Sequence, residues 1–484
     1  MADSPFDAAL PRIREIIAAA IGRYGIPGAA AGIVSGDRLE WSQGFGFADL
    51  ESRRPADVRS LFRVASITKT FTGAAIMQLR DAGRLSLDDP ISRHIPEFGR
   101  AHAKRGDLDQ VTIRRLLTHH SGLVSEAPFR YWETLDFPPF ERILASLPKV
   151  EVVLDPDTQF KYSNLAFALL GEVITRTSKT PYAGYVAGNL LRPLGLASTT
   201  FELTPELGRR FATGYDADAY SDSPVRANHH PIGGLAAAGG LYSSVEDLAK
   251  WVSFQLSAYR ATGDGGAGPG TALSSGASFS EGPGSQARSR TILSPATIRE
   301  IHRPQILEPD WRAGYGLPWR STRSGDRIYV NHGGGLPGHR TTVQFDPAHG
   351  IGFIFLTNLG WHDGPEDVAV PALNALNDAI AQRQPAVEVA PAAVPEQYRR
   401  LLGAYVARDV LFTNVEWRDA ALRLVLPPGT RSLHAPARLE PTGDALAFEV
   451  VGGRGGGELA VFEAGPDGHV AAFALGGAVY RRLR

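Results

Sequence analysis

The chain has 484 residues, 43% of them hydrophobic, which is enough to bury a core in each of about two or three domains. Its 50 basic and 51 acidic residues leave a formal net charge of −1, so the overall charge does not attract nucleic acid or a membrane surface. The absence of cysteine excludes disulfides, thiolate metal sites and a cysteine nucleophile.

The N-terminal part predicts one helix followed by a β-hairpin. Apolar side chains at helical spacing indicate a helix over residues 6–25, and the Gly and Pro residues that follow end it. Ala29–Val34 and Leu39–Gly46 flank a Ser-Gly-Asp turn, which is typical of two paired strands. The first residues carry acidic side chains where a signal peptide carries basic ones, so we expect a cytoplasmic protein.

The central part of the chain alternates between helical and strand-like patterns. Helical patterns occupy 66–82, 111–118, 163–178, 244–256 and 366–382, and strand-like segments occupy Ile328–Asn331, Thr341–Phe345 and Gly352–Thr357. Strands at both ends of this region predict an α/β (α+β) fold, with a mixed sheet flanked by helices and a helical subdomain. Residues 260–290 are rich in Gly and Ser, so we expect a mobile surface insertion there.

The C-terminal part predicts a second, β-rich domain. Residues 383–396 are rich in Pro and Ala, as in a semi-rigid linker, and separate a first domain over 1–382 from a second over 397–484. In the second domain, alternating segments are separated by Gly- and Pro-containing turns: Leu422–Leu426, Ala445–Val450, Glu458–Phe462 and Val470–Leu475. This pattern predicts a small antiparallel β-barrel or sandwich.

A Ser-x-x-Lys motif, formed by Ser66 and Lys69, opens the helical pattern over 66–82. On a helix the two side chains share one face, with Cβ atoms roughly 5–6 Å apart. A serine hydroxyl becomes a nucleophile when a neighbouring group accepts its proton, and a lysine whose pKa is lowered by burial can do so. The same residues also fit a helix cap followed by a solvated lysine, so the motif alone leaves both interpretations open.

Two further motifs carry polar groups suited to acyl transfer. Tyr162 and Asn164 precede the helical pattern over 163–178, where a phenol could exchange a proton and an amide could hold a substrate carbonyl. His332 is followed by three consecutive glycines. Glycines let a substrate approach the backbone, so the N–H of Gly335 could join that of Ser66 as an oxyanion donor. A lipase-like interpretation of His-Gly-Gly-Gly fails because the chain has no Gly-x-Ser-x-Gly elbow.

Two histidine pairs and five aromatic residues are further candidates for a functional role, but their sequence pattern also fits a structural role. The adjacent pairs His119-His120 and His229-His230 have no acidic partner at ligand spacing, so we expect no metal site and no cofactor. Five aromatic residues fit either a pocket wall or the core: Trp311, Tyr315, Trp319, Tyr131 and Trp132.

Together, in this order and at these separations, the three motifs resemble the serine β-lactamase and penicillin-binding superfamily. The resemblance is to the branch that contains class C β-lactamases, D-alanyl-D-alanine carboxypeptidases, D-aminopeptidases and related esterases. Leu116–Leu123, Leu191–Leu196 and Ala238–Leu248 are similar to the same branch, so the resemblance covers about residues 8–382. The second domain resembles the lipocalin-like domain appended to some of these enzymes.

The resemblance implies a β-lactamase/transpeptidase-like fold and a role for each motif residue. It implies Ser66 as nucleophile, Lys69 and Tyr162 as its catalytic partners, Asn164, His332, Gly333 and Gly334 at the substrate, and the N–H groups of Ser66 and Gly335 as oxyanion donors. Which of Lys69 and Tyr162 is the formal base stays open. His332 stands where many relatives carry a lysine that holds a substrate carboxylate, which weakens the expectation of β-lactamase activity.

We therefore expect a serine hydrolase that cleaves an ester or amide bond, with a carboxylesterase-like activity first. A D-aminopeptidase, amidase or D-alanyl peptidase on the same site is the main alternative, followed by a true β-lactamase and by a catalytically inactive binding protein. The expected partner is a small-molecule or short-peptide substrate, with no nucleic acid and no membrane. The sequence does not decide whether the chain forms a homo-oligomer.

Overall fold

The computed structural model describes residues 6–216, 223–260, 292–360, 362–383, 393–407, 411–418, 420–425, 437–452, 456–475 and 478–483. The chain divides into two compact units, Met1–Arg383 and Gln384–Arg484. Apart from Arg260, the predicted insertion over 260–290 lies outside the described residues, and so does most of the predicted linker over 383–396.

The helices of the described residues are α1 (Leu10–Tyr24), α2 (Thr68–Asp81), α3 (Ile91–His94), α4 (Ile113–Leu117), α5 (Tyr131–Thr134), α6 (Phe140–Ala145), α7 (Asn164–Ser178), α8 (Tyr182–Val186), α9 (Pro205–Gly208), α10 (Ala236–Gly239), α11 (Val245–Leu256), α12 (Pro295–His302), α13 (Gly364–Arg383) and α14 (Glu396–Arg399). Short 3₁₀ turns occupy Ala65–Ile67, Pro96–Arg100, Leu108–Gln110, Leu147–Lys149, Gly233–Leu235 and Ser257–Tyr259, and a π-helical turn occupies Ala187–Leu191. All the helices predicted from periodicity are present, with ends that differ by a few residues. None of the helices in this described part of the chain is both long and apolar enough to cross a bilayer.

The strands of the first unit are β1 (Gly28–Ser35), β2 (Arg38–Asp49), β3 (Arg54–Pro55), β4 (Phe62–Arg63), β5 (His102–Ala103), β6 (Glu151–Val152), β7 (Tyr215–Asp216), β8 (Val225–Arg226), β9 (Tyr242–Ser243), β10 (Ile306–Leu307), β11 (Ala313–Tyr315), β12 (Arg320–Ser324), β13 (Arg327–Leu336), β14 (His339–Asp346) and β15 (Ile351–Thr357). Those of the second unit are β16 (Gly403–Ala407), β17 (Leu411–Arg418), β18 (Ala421–Val425), β19 (Ala437–Pro441), β20 (Ala447–Val451), β21 (Leu459–Ala464), β22 (Val470–Leu475) and β23 (Ala478–Arg482).

One large sheet organises the first unit. Among the described residues it contains nine strands in the order β10-β11-β12-β13-β14-β15-β1-β2-β3. The N-terminal hairpin therefore joins the last strand of the unit, with Ala29 opposite Thr357. The predicted fold class is confirmed. The sheet itself differs from the expected mixed sheet, because consecutive hairpins and the β1–β15 pairing make every described neighbouring pair antiparallel.

Helices cover both faces of this sheet and create two cores. On β15, Phe353 and Phe355 pack into the core formed with α1 and α13, whereas Ile354 and Leu356 pack into the larger core that contains α2, α7 and α11. Burial on both faces explains why β1 and β15 are apolar at nearly every position. The larger core holds the helices that carry the candidate site.

The second unit is a closed antiparallel barrel. Among its described residues the strands follow each other from β16 to β23, and β23 pairs with β16, so Tyr405 lies opposite Arg482. Inward-facing residues such as Tyr405, Phe448 and Phe473 form its core. Closure leaves no exposed sheet edge. The expectation of a small antiparallel β-domain is confirmed, and it is a barrel.

Candidate active site

Ser66 lies on the 3₁₀ turn Ala65–Ile67, which leads directly into α2. Ala65 has a φ of 47°, an unusual value for a residue with a side chain. The Ile67 N–H donates to the Val64 carbonyl (3.1 Å) and closes the turn. Because α2 is buried along almost its whole length, the serine is held at the start of a fixed helix.

Lys69 follows Ser66 by one helical turn and has no exposed surface. Its Nζ lies 3.1 Å from Ser66 Oγ, 2.8 Å from Asn164 Oδ1 and 2.7 Å from the Ala238 carbonyl oxygen. A neutral amine has two N–H groups and one lone pair. The amide and carbonyl oxygens can only accept hydrogen bonds, so they take the two N–H groups. The lone pair is then left for the proton of the Ser66 hydroxyl.

The electrostatics of this position favour the neutral amine. Burial lowers the pKa of Lys69 to about 7, and the negative charge of Glu126 partly opposes that shift. The ring centroids of Tyr162 and Phe167 lie 4.8 Å and 5.3 Å from Nζ. Like Glu126, these rings stabilise the protonated form of Lys69 and so oppose the effect of burial. Near neutral pH, a substantial fraction of Lys69 is therefore in the form that can accept a proton.

Tyr162 is fixed by a stacked histidine. Its ring centroid lies 4.3 Å from that of His119, which accepts the Ser163 N–H through Nδ1 (3.1 Å). Burial raises the pKa of Tyr162 well above its usual value, an effect that hydrogen bonding with Ser66 only partly offsets. The phenol therefore stays protonated in the free protein. Burial also holds the pKa of His119 well below its usual value, so that ring is neutral.

A carboxylate is connected to Lys69 through Asn164, the first residue of α7. The Asn164 Nδ2 group donates to Glu126 Oε1 (2.7 Å), while its Oδ1 accepts from Lys69. The Tyr131 hydroxyl donates to the other oxygen, Glu126 Oε2. The helix starts at this point because Ser163 caps it, accepting the Ala166 N–H (3.0 Å). The amide therefore has a fixed orientation between the amine and the carboxylate.

His332 lies on β13 with its imidazole buried beside Lys69. Its Nδ1–H donates to the Gly333 carbonyl (2.7 Å), which assigns the proton to Nδ1. Burial, and then the charge of Lys69, lower the pKa of His332 to about 4, so the ring is neutral. Its Nε2 is buried and has no hydrogen-bond partner among the described residues. This nitrogen is therefore an unused hydrogen-bond acceptor on a ring that is near enough to feel the charge of Lys69.

The glycines of β13 allow the strand to approach the serine turn. A Cβ at Gly334 would lie 2.2 Å from the Val64 carbonyl oxygen, so only glycine permits this contact. The strand β12 pairs with β13 no further than Asn331, so among the described strands the β12-facing edge of β13 is unpaired beyond that residue. The glycines continue β13 rather than forming a turn. Gly335 and Ser66 line the same cavity.

This cavity has a volume of about 680 Å³ and combines a polar floor with an apolar wall. The wall includes Trp132, Phe137, Ile232, Leu235 and Tyr315. The undecided aromatic residues thus divide as follows: Trp132 and Tyr315 line the cavity, Tyr131 and Trp319 are buried, and Trp311 is 71% exposed.

The predicted site residues meet at one place. Ser66, Tyr162, Asn164, His332, Gly333, Gly334 and Gly335 line the cavity, and Lys69 contacts Ser66 from within the core. The sequence did not point to Glu126, because an acidic residue in a loop resembles any solvated one. His119 lies in a stretch that carries the resemblance, but its position beside His120 suggests only a metal ligand and gives no sign of the stacking on Tyr162. Among the described residues no group of three or more potential metal ligands occurs.

Comparison with known proteins identifies relatives. A family model described as Beta-lactamase matches residues 13–376. Protein flp of Staphylococcus aureus (strain N315) is 30% identical over 348 residues, which cover 72% of this chain and 63% of that protein. Beta-lactamase-like protein 2 of Dictyostelium discoideum is 29% identical over 369 residues, covering 74% of this chain and 61% of that protein. These matches span less than two thirds of the relatives' lengths.

Solved structures of similar fold cover either nearly the whole chain or about three quarters of it. The octameric penicillin-binding protein homologue from Pyrococcus abyssi has a TM-score of 0.61 at 22% identity and covers 97% of this chain and 99% of its own. A class C β-lactamase from Rhodobacter sphaeroides has a TM-score of 0.57 at 19% identity, covering 76% of this chain and 99% of its own. At sequence identities below 25%, this similarity shows only that the folds are alike.

Proposed function

The chain belongs to the beta-lactamase family, and we propose that it is a serine hydrolase that cleaves an ester or amide bond through an acyl-enzyme on Ser66. The observation that carries the proposal is the buried contact between Lys69 Nζ and Ser66 Oγ, at 3.1 Å. A lysine whose pKa is lowered to about 7 is a competent base at neutral pH.

In the first step, Ser66 attacks the substrate carbonyl. The hydroxyl proton moves to Lys69 Nζ while Oγ forms the bond to carbon, and the carbonyl oxygen becomes an oxyanion. The N–H groups of Ser66 and Gly335 stabilise that oxyanion. Lys69 rather than Tyr162 is the base in this proposal, because the raised pKa of Tyr162 leaves its phenol protonated.

In the second step, the tetrahedral intermediate collapses and the leaving group departs. The Tyr162 hydroxyl gives its proton to the leaving group and is reprotonated from Lys69, which restores the neutral amine. Water then attacks the acyl-enzyme, and Lys69 or the unpartnered Nε2 of His332 accepts its proton. Return of a proton to Ser66 Oγ completes the cycle.

The features of the cavity favour a carboxylesterase-like activity. His332 is neutral, so it supplies no cation for a substrate carboxylate of the kind that the cell-wall peptides and β-lactams of the family carry. Two arginines also line the cavity, but Arg320 is paired with Glu308 and Arg340 with Glu366, so neither charge is free for a substrate carboxylate. The wall formed by Trp132, Phe137, Ile232 and Leu235 suits an apolar acyl chain. An uncharged ester of a short acid fits both conditions.

One observation favours a second candidate, a D-aminopeptidase or amidase. Glu126 presents a carboxylate in the same cavity as Ser66, where it could bind the ammonium group of a substrate. The two activities then differ in the group that the substrate carries beside the reacting carbonyl.

Catalytic efficiency on three chromogenic substrates tests the choice: a p-nitrophenyl acyl ester, a D-alanyl p-nitroanilide and a cephalosporin, with Ser66→Ala as the blank. We expect the ester to be the best substrate. Dominance of the anilide, with a KM that rises in Glu126→Gln and is unchanged in Glu133→Gln, would establish the peptidase instead. Ser66-independent turnover of all three would contradict both.

We also propose that the chain forms a homo-oligomer. The support is indirect: the Pyrococcus abyssi relative, similar in fold over both units, is described as octameric. Sedimentation equilibrium of the full chain tests this, and a monomer at all concentrations would contradict it.

A further inference from the structure

A second cavity, of about 500 Å³, lies in the first unit beside the turn between β13 and β14. Its lining shares no residue with the Ser66 cavity. The cations Arg63 and Arg226 line it together with His229, and no Asp or Glu occurs among the described residues of its wall. The described lining of the cavity therefore carries only positively charged side chains and His229 as ionisable groups.

Arg63 is the central feature of this cavity. It is only 5% exposed, and β4 holds its backbone against β9, opposite Tyr242. Within the described residues, no hydrogen bond or ion pair engages its guanidinium, whose nitrogens are not completely buried, and the side chain lines the cavity. Arg80 and Arg176 are more exposed, yet each pairs with two carboxylates. Arginine is rarely buried without a partner.

Two nearby carboxylates each accept a hydrogen bond from another group, and Asp49 also interacts electrostatically with Arg226. Asp216 accepts the Gly338 N–H (2.9 Å), and Asp49 accepts the Thr213 hydroxyl (2.6 Å). Burial lowers the pKa of Arg63, and no carboxylate is among the groups that shift it. Since a guanidinium does not lose its proton in a protein, Arg63 stays charged. An anion from solution is the natural partner for a fixed, desolvated cation of this kind.

We propose that this cavity binds a small anionic group, a carboxylate or a phosphate, through the guanidinium of Arg63 with Arg226 as a second cation. The planar fork of Arg63 matches two oxygens of either anion. The site also borders the elements that carry the oxyanion donors: Arg63 precedes the serine turn, and Pro337 follows the strand of Gly335. The inference stands on the cavity and does not depend on the hydrolase proposal.

Ligand-dependent thermal unfolding of the full chain tests the proposal. Sodium phosphate and sodium acetate are titrated separately at constant ionic strength, with sodium chloride as the balancing salt. An anion that binds only the native state raises Tm by an amount that grows with the logarithm of its concentration once that concentration exceeds the dissociation constant. We expect such a rise in the wild-type chain, and the anion with the lower fitted dissociation constant identifies the group. No rise with either anion beyond that of chloride would overturn the proposal.

Three variants assign any binding to this cavity. We expect Arg63→Met to weaken the affinity by about tenfold or more, and Arg226→Gln to weaken it by a smaller factor. Arg312→Gln, which removes an exposed arginine outside the cavity, should retain the wild-type dissociation constant. If Arg63→Met does not fold, Arg226→Gln decides, because Arg226 is exposed. Wild-type dissociation constants in both cavity variants would overturn the site, since binding would then lie elsewhere.

Discussion

Lys69 combines full burial with contacts that leave its lone pair directed at Ser66. The pKa of about 7 means that the base is formed as pH rises through neutrality, not as it falls. We therefore expect kcat/KM on an uncharged ester to increase with pH along a limb whose midpoint is about 7.

Glu126 should influence the pH at which kcat/KM reaches half of its maximum. Its negative charge raises the pKa of Lys69, so Glu126→Gln should lower this pKa and move the midpoint to lower pH. Glu133→Gln is the matched control, because Glu133 is exposed and pairs only with Arg130 among the described residues. The pH–rate profiles of the three proteins are the measurement. Identical midpoints in all three would show that Glu126 does not act on the base.

Tyr162 should act on turnover rather than on binding. In Tyr162→Phe the stacking on His119 is retained, while the proton donor for the leaving group is lost. We expect kcat to fall by about 10²- to 10⁴-fold with little change in KM. Steady-state kinetics on the preferred ester give both constants. A change confined to KM would assign the phenol to substrate binding.

The elements of this protein and the joining of its three motifs in one site were largely predictable from its sequence, but the contacts that hold this site in place were not. Helical periodicity located α2 and α7, and the Ser-x-x-Lys and Tyr-x-Asn motifs placed the candidate residues at the start of each. The role of Glu126 depends on the path of a loop, which leaves no periodic signal. Similarly, the glycines after His332 were compatible with a turn. Only the packing of β13 against the Val64 carbonyl explains why the strand continues through them.

Gly334 and Gly333 provide a matched test of that packing. A Cβ at Gly334 would lie 2.2 Å from the backbone oxygen of Val64, whereas one at Gly333 would meet nothing closer than 3.4 Å. We expect Gly334→Ala to lower the free energy of unfolding by about 2 kcal/mol or more and Gly333→Ala to change it by less than about 1 kcal/mol. Denaturant unfolding measures both. Equal effects would mean that β13 does not press on the serine turn.

At the scale of the whole molecule, each of the two units has its own core. The sheet and its helices are complete within Met1–Arg383, and the barrel closes on itself within Gln384–Arg484. Turn residues and alternating patterns predicted the β-rich second unit, but barrel closure requires the pairing of β16 with β23, which no local pattern encodes.

Truncation after Arg383 tests the independence of the first unit. We expect the shortened chain to unfold cooperatively and to retain the kcat of the full chain on a p-nitrophenyl ester, because all the candidate site residues lie within this unit. Circular dichroism and steady-state kinetics check the two parts. A folded but inactive fragment would give the barrel a direct part in catalysis.

Intact-protein mass spectrometry after exposure to a fluorophosphonate tests whether Ser66 is the nucleophile. We expect one adduct per wild-type chain, mapped to Ser66 by peptide analysis, and none on Ser66→Ala. We also expect slow labelling of Lys69→Met, whose serine lacks its base. An unlabelled wild-type chain, or an adduct that persists in Ser66→Ala, would show that Ser66 is not the nucleophile.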